Sequence, residues 1–248
     1  MIPVPEPLQP GATIGLLGGG QLAQMLVLAG HAMGFRFMVF DPDPNCSAAL
    51  AGAKQITASY TDSEALAKLA DSCQVVTYEF ENVDAEAVSW LEERVDLPQG
   101  SEILRIAQNR LTEKKSLAKL KILIPPYQKI TSEYELLHAM EKFGELKLKT
   151  VTGGYDGKGQ VRVSDTEQIP DAFNTLSQAK TEIVAEQFVL FEKEISVIVA
   201  RNRLGEVRCF PVAENVHEKN ILTVSRIPAR LVSKVSEQAQ LIAKKIAV

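Results

Sequence analysis

The 248-residue chain has no apolar run near the roughly 20 residues a membrane-spanning helix needs, so no membrane partner is expected. Cysteine is scarce, with three residues, Cys46, Cys73 and Cys209. Their odd number and wide spacing give neither a disulfide framework nor a metal motif, and they read as free thiols in a reducing compartment. A basic excess is also missing: the net charge is −4 and the pI about 5.6, which disfavours non-specific binding to nucleic acid. The first residues, Met1-Ile2-Pro3-Val4-Pro5-Glu6, lack the basic segment and apolar core of a signal peptide, and the expected location is the cytoplasm. No internal repeat and no low-complexity tract is found.

What is present is ordinary globular composition, 46% hydrophobic and 23% charged, enough for one large or two modest domains. Over the first hundred residues, short apolar runs alternate with helical patterns. Strands are predicted at 12–17, 35–40, 55–57 and 74–78, and helices at 21–33, 63–72 and 84–93. Repeated β-α units imply a parallel sheet with right-handed crossovers. Residues 101–120 read as largely helical. Beyond Pro125-Pro126, strands are predicted at 127–130, 146–149, 160–163 and 182–186, with helices at 132–143 and 167–176 between them. Further strands are predicted at 194–200 and 207–211. Val232, Val235, Ala239, Ile242 and Ile246 then mark an apolar helical stripe.

Two glycine clusters carry the chemistry. In Lys149-Thr150-Val151-Thr152-Gly153-Gly154-Tyr155-Asp156-Gly157-Lys158-Gly159-Gln160, four glycines fall within seven positions and two lysines accompany them. Glycines let the backbone approach a ligand, and successive free amides form an anion nest. The run is not a P-loop, because no Gly-Lys-Ser/Thr follows the required spacer. It is either a hairpin tip or a lid that closes over phosphates; the strand patterns on both sides favour the lid.

The other cluster, Gly18-Gly19-Gly20-Gln21-Leu22-Ala23, fits G-x-G-x-x-G/A between a strand and a helix, with Asp41 at the end of the next strand. It reads as a dinucleotide fingerprint, as an anion site at a helix N-terminus, or as a tight turn without a ligand. Glu79 and Glu81 stand two apart, on one side if their strand continues. A metal or acid/base dyad is conceivable there, but hydrogen bonds to sugar hydroxyls fit better.

These runs occur in order with Thr77-Tyr78-Glu79-Phe80-Glu81-Asn82-Val83, Asn109-Arg110-Leu111-Thr112-Glu113-Lys114, Glu186-Gln187, Glu194-Ile195-Ser196 and Glu214-Asn215-Val216-His217. Together they resemble the N5-carboxyaminoimidazole ribonucleotide synthases, ATP-grasp ligases of purine biosynthesis, along essentially the whole chain. The resemblance implies an α/β fold: a Rossmann-like pre-ATP-grasp domain (1–110), an ATP-grasp lid subdomain of α+β type with its connecting helix (111–190), and the first part of the remaining ATP-grasp subdomain (191–248). It implies ATP, bicarbonate and aminoimidazole ribonucleotide as substrates, a carboxyphosphate intermediate, magnesium, and a homodimer.

Carried over residue by residue, the resemblance places ATP on Arg110, Lys149, Gly154, Tyr155, Asp156, Gly157, Lys158, Gly159, Gln160, Glu186, Gln187, Phe188, Val189, Glu194 and His217. Lys149 is a point cation for phosphate, Phe188 a wall for the base, and Glu194 an acceptor for ribose hydroxyls. The nucleotide substrate falls to Gly19, Gly20, Gln21 and Leu22, which would hold its phosphate or ribose side at the helix N-terminus, and to Glu81 and Asn82 past a strand end. Lys149, Tyr155, Asp156 and Lys158 are the catalytic candidates.

The sequence departs from the family at Ala23, where glycine is usual, and at Val151-Thr152, where an arginine is common. The latter change is expected to weaken phosphate binding. The family's magnesium ligands fall beyond Val248, so none is assigned, and the chain is expected to be a catalytically weak fragment. The rival readings are another ATP-grasp ligase, such as a biotin carboxylase or a formate-using glycinamide ribonucleotide transformylase, a dinucleotide-dependent oxidoreductase built on Gly18 to Ala23, and a non-catalytic nucleotide-binding protein.

Overall fold

The computed structural model describes residues 7–154, 159–218 and 220–248. The chain divides into two compact units, residues 1–108 and 109–248.

The first unit is built on β1 (Thr13–Leu17), α1 (Gln21–Ala32), β2 (Arg36–Phe40), the single turn α2 (Ser47–Leu50), β3 (Lys54–Ile56), α3 (Ser63–Ser72), β4 (Val75–Tyr78), α4 (Ala85–Glu92) and α5 (Glu102–Ala107). The strands form one parallel sheet in the order β3-β2-β1-β4, as the β-α alternation predicts. Strand periodicity sorts the core onto its two faces. Leu16, Val39, Phe37, Ala23 and Val27 pack on one side. Leu17, Phe40, Leu66, Leu69, Val76, Val88 and Leu91 pack on the other. Helix starts follow capping chemistry: the Asp62 side chain accepts the Ala65 amide, and Asp84 accepts those of Glu86 and Ala87.

In the second unit α6 (Arg110–Lys119) precedes a four-stranded antiparallel sheet. Its elements are β5 (Tyr127–Ile130), α7 (Glu133–Phe143), β6 (Leu146–Thr150), β7 (Gln160–Val163), α8 (Ile169–Ser177) and β8 (Ile183–Gln187), with strand order β5-β8-β6-β7. Leu136, Leu146, Leu148, Val163, Ile169, Leu176, Ile183 and Ala185 form its core beneath α7 and α8. The chain continues through β9 (Glu194–Ser196), β10 (Val199–Arg201), β11 (Val207–Cys209), β12 (Ala213–Glu218), β13 (Ile221–Arg226) and α9 (Ser233–Ala247). β10 and β11 form a hairpin, and β13-β12-β9 form a separate antiparallel sheet.

Two strand expectations are corrected, and two helical ones hold with a refinement. The helical stretch 101–120 breaks at Asn109, whose side chain accepts the amides of Leu111 and Thr112 and so starts a new helix. The strand expected over 194–200 is two strands, β9 pairing with β12 and β10 with β11. The strand expected over 207–211 ends at Cys209. The stripe on α9 is largely exposed, from Ile242 at 38% to Val232 at 70%, because α9 packs only its Ala243 side into the β10–β11 hairpin. The pair β12–β13 was not anticipated from the sequence: β12 reads Ala-Glu-Asn-Val-His-Glu, too polar for an apolar-run criterion. Among the described residues no helix is long and apolar enough to cross a membrane.

Candidate functional site

In the first unit, β1 ends in a glycine turn and α1 begins without a side-chain cap. Gly18 has φ +97°, and a Cβ there would meet the Phe80 ring at 2.4 Å, so this turn requires glycine. The Gly18 amide donates to the Phe40 carbonyl at 3.0 Å, and that of Gly19 donates to Asp41 Oδ2 at 2.7 Å. Glu79 leans over the same turn, with Oε1 2.9 Å from where a Gly20 Cβ would stand. Burial raises the Glu79 carboxyl above the ordinary carboxylate range; the Gly20 amide partly offsets this and the Asp41 charge adds to it. The mouth of the turn is therefore acidic. That suits hydroxyl and amine donors better than a phosphate.

Gln21 and Leu22 lie on the exposed first turn of α1. β4 ends at Tyr78, so Glu79 and Glu81 do not share one strand face. Glu79 turns toward Gly20, while Glu81 and Asn82 are exposed beyond the strand end. A cleft of about 200 Å³ opens there, lined by Tyr78, Glu79, Phe80, Glu81, Gln99 and Ile103 among others. Gln99 was not singled out from the sequence. Its amide group bridges the Thr77 hydroxyl, at 2.5 Å, and the Tyr78 carbonyl, at 3.0 Å, and fixes the end of the strand.

In the second unit the glycine loop joins β6 to β7, with Lys149 paired opposite Gln160 at its root. Gly153, Gly154 and Gly159 have φ of +69°, +83° and +72°. Tyr155, Asp156, Gly157 and Lys158 lie outside the described residues. Lys149 Nζ donates to Glu186 Oε2 at 3.1 Å. The other oxygen, Glu186 Oε1, has Lys114 Nζ at 3.1 Å.

Arg110 is placed by the Asn109 cap at the first turn of α6. Its Nη1 donates to the carbonyls of Thr150 at 2.9 Å and Gly153 at 2.8 Å, so it clamps the loop root rather than standing as a solvated surface charge. Val151 and Thr152, the departures from the family pattern, serve the frame. Val151 is buried and its amide donates to Glu182, while the Thr152 hydroxyl pairs with that of Thr181. Lys147, also on β6, is pushed below the usual lysine range by burial, with the charges of Lys149 and Arg162 adding to the shift.

Glu186, Gln187, Phe188 and Val189 follow one another at the end of β8. The amide of Gln187 donates to Pro126 and that of Phe188 to Glu145, so neither is free to read a base edge. The Phe188 ring lies under the Arg162 guanidinium at 3.9 Å, and Val189 is exposed. Further on, β9 and β12 bring Glu194 and His217 together, His217 Nδ1 lying 3.4 Å from Glu194 Oε2. Among the described residues no group of three or more His, Cys, Asp or Glu side chains is gathered as a metal site.

Lys114, like Gln99, gives no sign of its part in the sequence alone. It lies in the run Asn109-Arg110-Leu111-Thr112-Glu113-Lys114, four residues after Arg110, a spacing that puts both on one face of α6.

Residues 11–108 match the ribonucleotide synthetase preATP-grasp domain, and residues 115–248 match the ATP-grasp domain. The chain is 41% identical over 241 residues to the N5-carboxyaminoimidazole ribonucleotide synthase of Bacillus subtilis, covering 97% of the chain and 63% of that protein. It superposes on an N5-carboxyaminoimidazole ribonucleotide synthetase in complex with ADP with a TM-score of 0.91 at 44% identity, covering 97% of this chain and 63% of the other. The Aspergillus clavatus synthase in complex with ADP and 5-aminoimidazole ribonucleotide superposes with a TM-score of 0.87 at 30% identity, covering 96% and 63%. The chain thus spans less than two thirds of the length of these relatives. With a pre-ATP-grasp domain leading and more than half its residues in the second match, the chain belongs to the ATP-grasp family.

Proposed function

We propose that this chain is part of an ATP-dependent ligase that carboxylates 5-aminoimidazole ribonucleotide with bicarbonate. The observation that carries the reading is the pairing, on one chain, of a ribonucleotide-synthetase pre-domain with a strand hairpin that roots a glycine loop at Lys149. Relatives of the same name, bound to ADP or to ADP with the imidazole nucleotide, support it.

In this reading a bicarbonate oxygen attacks the γ-phosphorus of ATP, ADP leaves, and carboxyphosphate forms. The amine of the imidazole nucleotide then takes the carboxyl carbon, and phosphate and a proton depart. Phosphoryl transfer asks a protein mainly for position and charge. Lys149 supplies charge at the loop root, Arg110 holds the loop's entry, and Gly154 and Gly159 give backbone close approach, with Gln160 facing Lys149 across the hairpin. Tyr155, Asp156, Gly157 and Lys158 complete the loop in this assignment.

The strand end Glu186-Gln187-Phe188-Val189 is assigned to the adenine side, and Glu194 with His217 to ribose and phosphate. The acidic turn at Gly19 and Gly20, with Gln21, Leu22, Glu81 and Asn82, is assigned to the hydroxyl and amine side of the acceptor nucleotide. Magnesium would add charge neutralisation at the phosphates. A homodimer and a cytoplasmic location belong to the same reading. So do the domain bounds 1–110, 111–190 and 191–248.

The test is ADP release from ATP and bicarbonate, with and without aminoimidazole ribonucleotide, on this chain and on a chain carrying the additional length of its relatives. Nucleotide-stimulated ADP release by the longer chain supports the reading. Release that ignores the imidazole nucleotide leaves an ATP-grasp ligase for another acceptor.

A further inference from the structure

Glu186 is a single, almost fully buried carboxylate with two ammonium groups, one on each oxygen at 3.1 Å. The two lysines are not equivalent. Lys149 comes from the root of the glycine loop, its side chain is 29% exposed, and it donates a well-aligned hydrogen bond to Oε2. Lys114 comes from the interior face of α6, its side chain is 10% exposed, and its Nζ also lies 5.3 Å from the centre of the Tyr127 ring. It faces Oε1 at ion-pair distance without hydrogen-bond alignment, and Oε1 has no hydrogen-bond donor among the described residues. Lys114 therefore acts on Glu186 chiefly as a fixed charge, whereas Lys149 is the partner with a way out.

A lysine that swings toward a phosphate loosens its hold on the carboxylate that engages it in the free protein, since Lys149 reaches Glu186 Oε2 at 3.1 Å. Leaving a buried carboxylate without a counter-charge is strongly unfavourable. The second ammonium removes that obstacle, because Glu186 keeps one positive neighbour throughout. We propose that Lys114 is a positioning residue that lets Glu186 release Lys149 to the phosphates of a bound nucleotide. This rests on the nucleotide reading of the loop and deepens it. Lys114 touches no phosphate; it sets how readily Lys149 moves.

Two readouts on the full chain test the handover: ATP affinity by calorimetry, and the rate at which trace acetic anhydride labels Lys149, followed by mass spectrometry. The variants are Lys114→Met, Lys114→Arg, Glu186→Gln and the Met/Gln double. Lys114→Met leaves Lys149 as the sole partner of Glu186; labelling slows severalfold and ATP binding weakens about tenfold or more. Glu186→Gln frees Lys149 and its labelling rises.

In the double variant there is no buried charge to compensate, so both readouts return to within about threefold of Glu186→Gln alone. Lys114→Arg keeps the charge and stays near wild type. A lysine that merely pins α6 to β8 gives a different result: the Lys114→Met loss persists, additively, in the Gln background. That result, or unchanged labelling in Lys114→Met, overturns the proposal. Should Lys114→Met fail to fold, Lys114→Gln takes its place in the cycle, and Glu186→Gln without faster Lys149 labelling is equally fatal. If wild type binds no ATP, the nucleotide reading falls and the handover with it, whereas an additive cycle in a protein that binds ATP overturns the handover alone.

Discussion

Asp41 accepts the amide of Gly19 at 2.7 Å and so closes the glycine turn from within the first unit. The same carboxylate accepts the Asp43 amide at 2.8 Å and the Tyr60 hydroxyl at 3.3 Å. In a dinucleotide site the turn's amides face a pyrophosphate and the acid at the second strand takes ribose hydroxyls. Here that acid and a turn amide are spent on each other. NAD is therefore expected to leave the melting temperature unchanged, while ATP raises it by mass action. Thermal melts with each ligand decide this, and an upward shift with NAD alone would return the oxidoreductase reading.

Glu79 gives a pH dependence of definite sign. Burial holds its folded pKa above the ordinary value of 4.5, so the folded chain keeps a proton that the unfolded chain has already released. Its contribution is therefore most favourable at and below that value and is lost as pH rises through the elevated one. Melting temperatures of wild type and Glu79→Gln, compared from pH 4.5 towards neutrality, should diverge, with wild type losing ground as pH rises. Parallel curves would show that the carboxyl is not held in its neutral form.

The two glycine clusters, the parallel sheet and the strands around the second glycine loop were legible because each rests on local rules: apolar runs, turn chemistry and caps. The break at Asn109 follows an equally local rule, but the periodicity of 101–120 masked it. β12 was not legible, because Glu214, Asn215 and His217 are strand residues by virtue of their partners rather than their own preference, whereas β13, Ile-Leu-Thr-Val-Ser-Arg, is strand-prone by itself and only its pairing with β12 lay out of reach. Lys114 could not be recognised for a related reason. A lysine is buried only where a counter-charge waits, and Glu186 arrives from a strand much later in the chain.

Gly30 separates two opposing effects in α1. A helical glycine replaced by alanine ordinarily gains up to about 1 kcal/mol. Here the new Cβ would stand 2.3 Å from Phe37 Cζ and 2.6 Å from Cε2. Phe37 is buried in the core with the His31 ring edge-on at 5.5 Å, so it has little room to withdraw. Overpacking of this kind costs about 1–3 kcal/mol, so Gly30→Ala should be net destabilising by about 1 kcal/mol in urea unfolding. A more stable variant would mean that the ring can yield.

Arg110 gives the most local prediction for the loop between β6 and β7. Its backbone amide donates to the Val151 carbonyl at 3.0 Å, while Nη1 holds the carbonyls of Thr150 and Gly153. One residue thus fixes the backbone on both sides of Val151, where β6 turns into the glycine loop. Arg110→Gln keeps the main-chain bond and removes the cationic clamp. Hydrogen bonds from a charged group contribute about 1.5–3 kcal/mol when well shielded, and partial exposure here reduces the figure to about 1 kcal/mol. Because Leu146 and Leu148 anchor the rest of β6 in the core, the loss should stay at the loop root. Hydrogen exchange is expected to quicken about fivefold or more over 150–154 and to remain unchanged in β8. ATP affinity should fall with it, since a loosened loop must be ordered at binding. Exchange that quickens evenly through β5, β6 and β8 would show instead that Arg110 supports the whole sheet and has no special hold on the loop.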